Sequence, residues 1–285
     1  MSPRPFSRLG LGTGALGDLG LSEETAFALL DDAYQGGVTV VDTARSYGAA
    51  EARIGAWLAS RGADVAVTTK GGYGLPGIPD WTGVTIARGI EAAIVRLRRS
   101  PLDVFFLHSC PLDVARREDI LRALEEARAR GEIRAAGYSG EGDALGWAVR
   151  SGHFAVVQCS LNPFDQANLP VVTEAALRGV TVLAKRPLGN APWRFRERPV
   201  GRDAEITWTR MVAMGFDPAP LAWDELALRF AAYAPGVSCA LVGTGSRDHL
   251  ARAMSVVRDG PLPREVAEAC SAAFAAHGAA WPGII

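Results

Sequence analysis

Eight short runs dominated by apolar residues recur along this chain: RLGLGT (8–13), VTVVDT (38–43), VAVTTK (65–70), DVFFLHS (103–109), RAAGYS (134–139), AVVQCSL (155–161), VTVLAK (180–185) and SCALVGT (238–244). Near-continuous apolar runs predict parallel strands buried on both faces. Between them the spacing lengthens to threes and fours. In SEETAFALLDDAYQGG (22–37), Ala26, Leu29, Leu30 and Ala33 share one face, and Ser22 and Thr25 stand where a helix cap is needed. GVTIARGIEAAIVRLRR (83–99) and REDILRALEEARARGE (117–132) obey the same rule. Gly36, Gly62, Gly131, Gly152 and Gly179 follow such stripes and predict helix ends closed by residues tolerant of positive φ. No Pro/Ser-rich linker divides the chain. Eight unbroken strand–helix units predict one α/β domain over residues 1–285, a closed (β/α)8 barrel of the TIM type; a doubly wound open sheet is the rival arrangement.

The rhythm breaks after the seventh strand, at GNAPWRFRERPVGRDAEITWTRMVAMGFDPAP (189–220). Connections of that length usually serve as lids or binding loops. Trp193, Phe195 and Trp208 would wall a pocket there, whereas an insertion packed on the barrel rim is the plainer alternative. REVAEACSAAFAAHG (264–278) reads as a final helix.

Composition changes this picture little but excludes several functions. With 285 residues, 48% hydrophobic and 21% charged, the chain has the make-up of a globular protein. A formal net charge of −1 offers nothing to nucleic acid or to an anionic membrane. MSPRPFSRLG lacks the apolar core of a signal peptide, and no apolar stretch approaches membrane-spanning length, so a cytoplasmic location is expected. Cys110, Cys159, Cys239 and Cys270 are widely spaced, which indicates neither a disulfide framework nor a metal site.

The C-terminal ends of barrel strands share one face, where active sites form, so the strand ends read as a ring. Strand two contributes Asp42, with Tyr47 one short turn later; strand three contributes Lys70, and strand four His108. Lys70 and Lys185 are the only lysines among 30 basic residues, and both end strands. Lysine in an arginine-rich chain marks places where a compact ammonium with a shiftable pKa is wanted. Each residue alone has a plainer reading: a structural ion pair, a packed tyrosine, a satisfied core histidine. Convergence on three consecutive strands favours chemistry.

DTARSYG, TTK and LHS, in this order and at these strand ends, resemble the active-site motifs of the aldo-keto reductase family, over roughly Arg8 to Leu262. The resemblance implies that Tyr47 donates the proton, Lys70 is its charged neighbour, Asp42 anchors that lysine, and His108 touches the substrate oxygen. The chemistry is coherent. Hydride arriving at a carbonyl carbon leaves negative charge on oxygen, which calls for a proton. A phenol of pKa about 10 holds its proton at neutral pH, and an ammonium about 4–6 Å away lowers that pKa.

No side chain donates hydride, so a nicotinamide nucleotide is implied. By the resemblance, Gly12, Thr13, Ser139 and Gln158 lie near the nicotinamide, as does Asp42, and the run Lys185, Arg186, Pro187, Leu188, Gly189 follows strand seven. GTGSRDHL (243–250), a glycine-rich turn opening a helix, offers Gly243, Thr244, Gly245 and Ser246 as a phosphate site. Arg247, His249 and Arg252 would neutralise a 2′-phosphate, favouring NADP(H) over NAD(H). The chain also departs from the family. Ser139 is followed by Gly140 rather than Asn, Lys185 replaces a stacking aromatic, and Arg252 and Ala253 replace a Glu-Asn pair.

Two alternatives have their own residues. A Schiff-base lyase would use Lys185 as nucleophile beside Arg186, and a regulatory protein would bind the nucleotide with little turnover. Tyr73, Trp81, Phe164, Trp193 and Phe195 form a candidate apolar wall for a small carbonyl substrate. The resemblance points to a monomer or small homo-oligomer, without nucleic-acid or membrane partners.

Overall fold

The computed structural model describes residues 5–278 and 280–284, so residues 1–4, 279 and 285 of the expected domain lie outside it. Eight strands, β1 (Leu9–Gly12), β2 (Val40–Asp42), β3 (Ala66–Gly71), β4 (Leu102–His108), β5 (Ile133–Ser139), β6 (Val156–Ser160), β7 (Thr181–Lys185) and β8 (Cys239–Gly243), form a closed barrel in chain order. Every pairing is parallel, including β1 with β8. This is the fold the apolar runs predict, with all eight strands in place, and the open sheet is excluded.

Alternation along each strand divides the interior into two cores. Val40, Ala66, Val104, Phe106, Ala135, Val156, Leu183 and Leu241 point inward. Val41, Val67, Phe105 and Leu107 point outward against helix residues such as Ile54, Trp57, Ile86 and Ile90. Phe106 fills space left by a glycine, because a side chain at Gly137 would overlap its ring. Filling of that kind is worth about 3–5 kcal/mol on the scale of Phe-to-Ala truncations. Cys110, Cys159, Cys239 and Cys270 are free thiols within these packed layers.

Helix ends follow the expected chemistry, with one adjustment. Ser22 caps Glu23–Gln35 by accepting from the Thr25 N–H at 3.1 Å. Gly62 and Gly152 close their helices in the left-handed region. Gly36 does not: its φ is −74°, and the reversal falls on Gly37 at φ 87°.

The stretch 189–220 is not an open loop. It holds a 3-10 turn, Pro192–Arg194, and a helix, Glu205–Met214, tied back by Thr207 Oγ1 donating to the Gly189 carbonyl at 2.6 Å. Arg186, Asn190 and Ala191 have positive φ at its entrance, a local strain of about 1–3 kcal/mol each that surrounding contacts must hold. The final helix is Arg264–Gly278, as expected. No described helix is long and apolar enough to cross a membrane.

Candidate active site

Strand register places the polar residues at the rim. Gly12 pairs with Asp42 and Gly243, His108 with Ser139, and Ser139 with Gln158. Asp42, 4% exposed, is saturated: its Oδ1 accepts from Thr68 Oγ1 at 2.7 Å and Gln158 Nε2 at 3.1 Å, its Oδ2 from Lys70 Nζ at 2.6 Å. Lys70 also donates to the Thr43 carbonyl at 2.9 Å. Ser139 Oγ donates to Gln158 Oε1 at 3.0 Å, so one chain of hydrogen bonds runs from β5 through β6 and β2 to β3. A buried ion pair persists only when its remaining atoms are bonded in this way.

Tyr47 stands in the turn that leaves β2. Its N–H donates to the Ala44 carbonyl at 3.0 Å, and its own carbonyl accepts from the Ala50 N–H at 2.9 Å. Across the turn, the Gly17 carbonyl accepts from the Ala49 N–H, and a methyl added at Gly17 would run into the Tyr47 carbonyl oxygen. Lys70 Nζ lies 5.2 Å from the centre of the Tyr47 ring, and the His108 ring meets that ring edge-on at 6.1 Å. Tyr47 and Lys70 therefore face each other.

The electrostatics differ from the sequence expectation in one respect. Burial raises the Tyr47 pKa above the usual phenol value, the Asp42 charge adds to the rise, and Arg186 counters it. The Lys70 ammonium beneath the ring is itself paired with Asp42 at 2.6 Å. Burial, then Lys70, Lys185 and Arg186, pushes His108 down to about 3, so its imidazole is neutral at pH 7.

Beyond Arg186 lies a cavity of about 730 Å³ on the β7–β8 side, lined by Arg186, Pro187, Leu188, Gly243, Thr244, His249 and Arg252, with Trp193 and Phe195 of the insertion over it. The sequence-predicted residues thus form two groups. Asp42, Lys70, Gln158, Ser139, Tyr47 and His108 gather at β2–β6, and the cavity residues at β7–β8. Gly12 and Gly243 lie side by side at the rim, a Cβ at either making only ordinary contact with the other's backbone, and as glycines both leave that backbone uncovered by side chains. Thr13 is fully buried and spends its hydroxyl on the Asp42 carbonyl at 2.9 Å. Ser246 caps the helix Arg247–Arg258 by accepting from the His249 N–H at 3.4 Å, and Gly189 accepts from Thr207 at the root of the insertion.

Several expectations need correction. Phe164 is fully buried beneath Trp223 and Trp193 and does not line the cavity. Trp208 is turned away, its indole N–H donating to the Phe195 carbonyl at 3.0 Å. Arg247 binds Asp32 at 2.5 Å, outside the cavity lining, whereas Arg252 does line the cavity and is bridged there to Asp224 at 2.9 Å. Lys185 is not a free amine, since its Nζ lies 3.0 Å from Glu141 Oε1.

Sequence reading missed three features. Glu141, 8% exposed, accepts from the Ser160 N–H and from Asn168 besides pairing with Lys185. Gly140 is bare because a side chain there would meet the Tyr138 hydroxyl at 2.6 Å, and that hydroxyl donates to the Cys110 carbonyl. Residues 281–284 return to the rim: the Ile284 carbonyl accepts from Arg186 Nη1 at 2.8 Å and Ser160 Oγ at 2.9 Å, and its N–H donates to Asp165 at 2.9 Å. The lone signal for that tail was Trp281, over which the Arg210 guanidinium lies 5.1 Å from the ring centre.

The Aldo/keto reductase family model matches residues 8–274. The chain is 28% identical to aldo-keto reductase str7 of Strobilurus tenacellus, over 64% of this chain and 58% of the relative. It is 29% identical to norsolorinic acid reductase stcV of Emericella nidulans, over 58% and 48%. It therefore spans about half the length of these curated relatives. Among solved structures, the holo form of aldo-keto reductase AKR11C1 from Bacillus halodurans superposes with a TM-score of 0.79 at 22% identity, covering 96% of both chains. That likeness speaks for the fold.

Proposed function

The chain belongs to the aldo/keto reductase family, and from that premise we propose that it reduces an aldehyde or ketone to the alcohol, reversibly, using NADP(H) in preference to NAD(H). The observation that carries the reading is the meeting of Tyr47 with the buried Lys70–Asp42 pair and His108 at one rim.

The residues present suit a nicotinamide nucleotide. Bare backbone at Gly12 and Gly243, a buried amide at Gln158, a capped helix N-terminus at Ser246 and a cavity lined by arginines are what the base, the phosphates and the ribose require. When bound, the nucleotide supplies the hydride. Tyr47 holds its proton at the phenolic oxygen at neutral pH, since burial keeps it protonated, and releases it to the substrate oxygen as charge grows there. Lys70, fixed by Asp42, places a permanent positive charge behind that phenol, and neutral His108 offers a hydrogen bond to the same oxygen.

The cavity supports NADP(H) by its charge. Arg186, Arg194, Arg202, Arg252 and His249 line it, against Asp203 and Asp224. A 2′-phosphate would take Arg252 from Asp224. The same reading takes a small-molecule carbonyl as the partner, and a monomer or small homo-oligomer in the cytoplasm. The test is consumption of NADPH by the protein with a panel of aldehydes, ketones and sugars. Tyr47→Phe should lower kcat by about 100-fold or more, the scale of general acid catalysis. Turnover near wild type in that variant rejects the reading. So does a parent that neither turns over with the panel nor oxidises bound NADPH in a single turnover with a reactive aldehyde, which is the behaviour of a nucleotide-binding regulator.

A further inference from the structure

Tyr73 follows β3 by two residues and occupies the middle of an aromatic series. Its ring lies 5.6 Å from Trp81 and is stacked on His108 at 5.7 Å with 26° between planes. Its hydroxyl is 3.0 Å from His108 Nδ1 and 3.4 Å from Ser46 Oγ. The loop that carries it is fastened on both sides. Arg45 donates to the Gly74 carbonyl at 3.2 and 2.8 Å, Asp80 accepts from the Gly74 N–H at 2.8 Å, and the Trp81 N–H donates to the Gly72 carbonyl at 2.7 Å. A phenol held this way keeps one direction, so its hydroxyl is a fixed feature of the histidine's surroundings.

A phenol has one proton to donate. Given to Nδ1, it makes that nitrogen the acceptor and leaves the imidazole's own hydrogen on Nε2; given to Ser46, it leaves Nδ1 to carry the hydrogen. Both contacts are within reach of the hydroxyl, but the 3.0 Å one to Nδ1 is the shorter and stronger, 3.4 Å being long for a pair of hydroxyls. Burial and the charges of Lys70, Lys185 and Arg186 disfavour the doubly protonated ring, so the choice lies between two neutral tautomers. Nε2 is across the ring from Tyr73 and is the nitrogen left for a substrate oxygen.

We infer that Tyr73 is a positioning residue: it donates its phenolic proton to His108 Nδ1 and so fixes His108 as the Nε2–H tautomer, the form able to donate to the carbonyl oxygen. The wrong tautomer would present a lone pair to an oxygen gaining negative charge. Only the consequence for turnover rests on the carbonyl-reductase reading; the tautomer is a property of the chain itself.

The experiment is nitrogen NMR on the full chain labelled at the imidazole nitrogens, with His108→Asn assigning the His108 signals among the four histidines. At pH 7 we expect Nδ1 of His108 to be unprotonated and Nε2 to carry the hydrogen. Tyr73→Phe keeps the ring and removes only the donor, so His108 should pass to a mixture of tautomers while the melting temperature changes little. With an active carbonyl substrate, kcat should fall about tenfold, the scale of one oriented hydrogen bond, without a change in KM for the nucleotide. In a His108→Asn background, Tyr73→Phe should have no further effect. Hydrogen on Nδ1 in the wild type, or an unchanged tautomer in Tyr73→Phe, overturns the inference whatever the activity. An unchanged kcat with a shifted tautomer would overturn the positioning role alone.

Discussion

The Lys70 ammonium stands 2.6 Å from Asp42 Oδ2, and the two side chains are 1% and 6% exposed. Each neutralises the other at that depth, while Thr68 and Gln158 complete the carboxylate. Removing one partner leaves a buried charge uncompensated. Lys70→Met and Asp42→Asn should each cost about 3–5 kcal/mol of stability, and the double variant should lose clearly less than the two losses combined. Urea unfolding of the four proteins decides the matter; strictly additive losses would show that the pair does not act as a unit.

His108 links stability to pH. Its pKa drops from 6.5 in the unfolded chain to about 3 in the folded one. Between those values the unfolded state binds a proton that the folded state refuses, so its contribution is full above 6.5 and is lost as pH falls toward 3. Asp165 works the other way, since burial raises it from 3.8 to about 6, and its contribution is lost as pH rises through 6. Comparison with His108→Asn separates them. From pH 7 to pH 4.5, wild type should lose more stability than the variant, and equal losses in urea titrations would contradict the assignment.

Gly17 faces the backbone of Tyr47 with no room for a methyl, because the atom it would strike is a main-chain carbonyl that a rotamer change cannot move. Gly17→Ala should destabilise by about 1–3 kcal/mol, the cost of overpacking, and should also displace the phenol. The measurement is kcat beside melting temperature. A loss of stability with kcat unchanged would show that the turn yields elsewhere.

The barrel was legible because buried parallel strands leave apolar runs that nothing else in the chain imitates, and Asp42, Lys70 and His108 were legible because they end those runs. Tyr47 followed from its turn. The misread positions share a different cause: they depend on partners distant in sequence. Arg247 is drawn out by Asp32 in the first long helix, Lys185 is claimed by Glu141 after β5, and Phe164 is covered by Trp223 beyond the insertion. The rise of the Tyr47 pKa was invisible for the same reason, since the depth of burial is a property of the closed barrel and not of the motif. The helix Glu205–Met214 was hidden because it has no side-chain cap, and its buried positions, Thr207, Arg210 and Met214, include two polar residues that blur the stripe.

The four thiols sunk in the packed layers give the protein an internal clock for its own opening. Burial raises each of them, Cys110 and Cys270 to about 12, so almost no thiolate exists in the closed state to attack a disulfide reagent. Reaction then waits on exposure. Cys239 lies inside the barrel and Cys270 between the final helix and its neighbours, so labelling rates resolved by mass spectrometry would time the peeling of the outer helix separately from rupture of the cylinder.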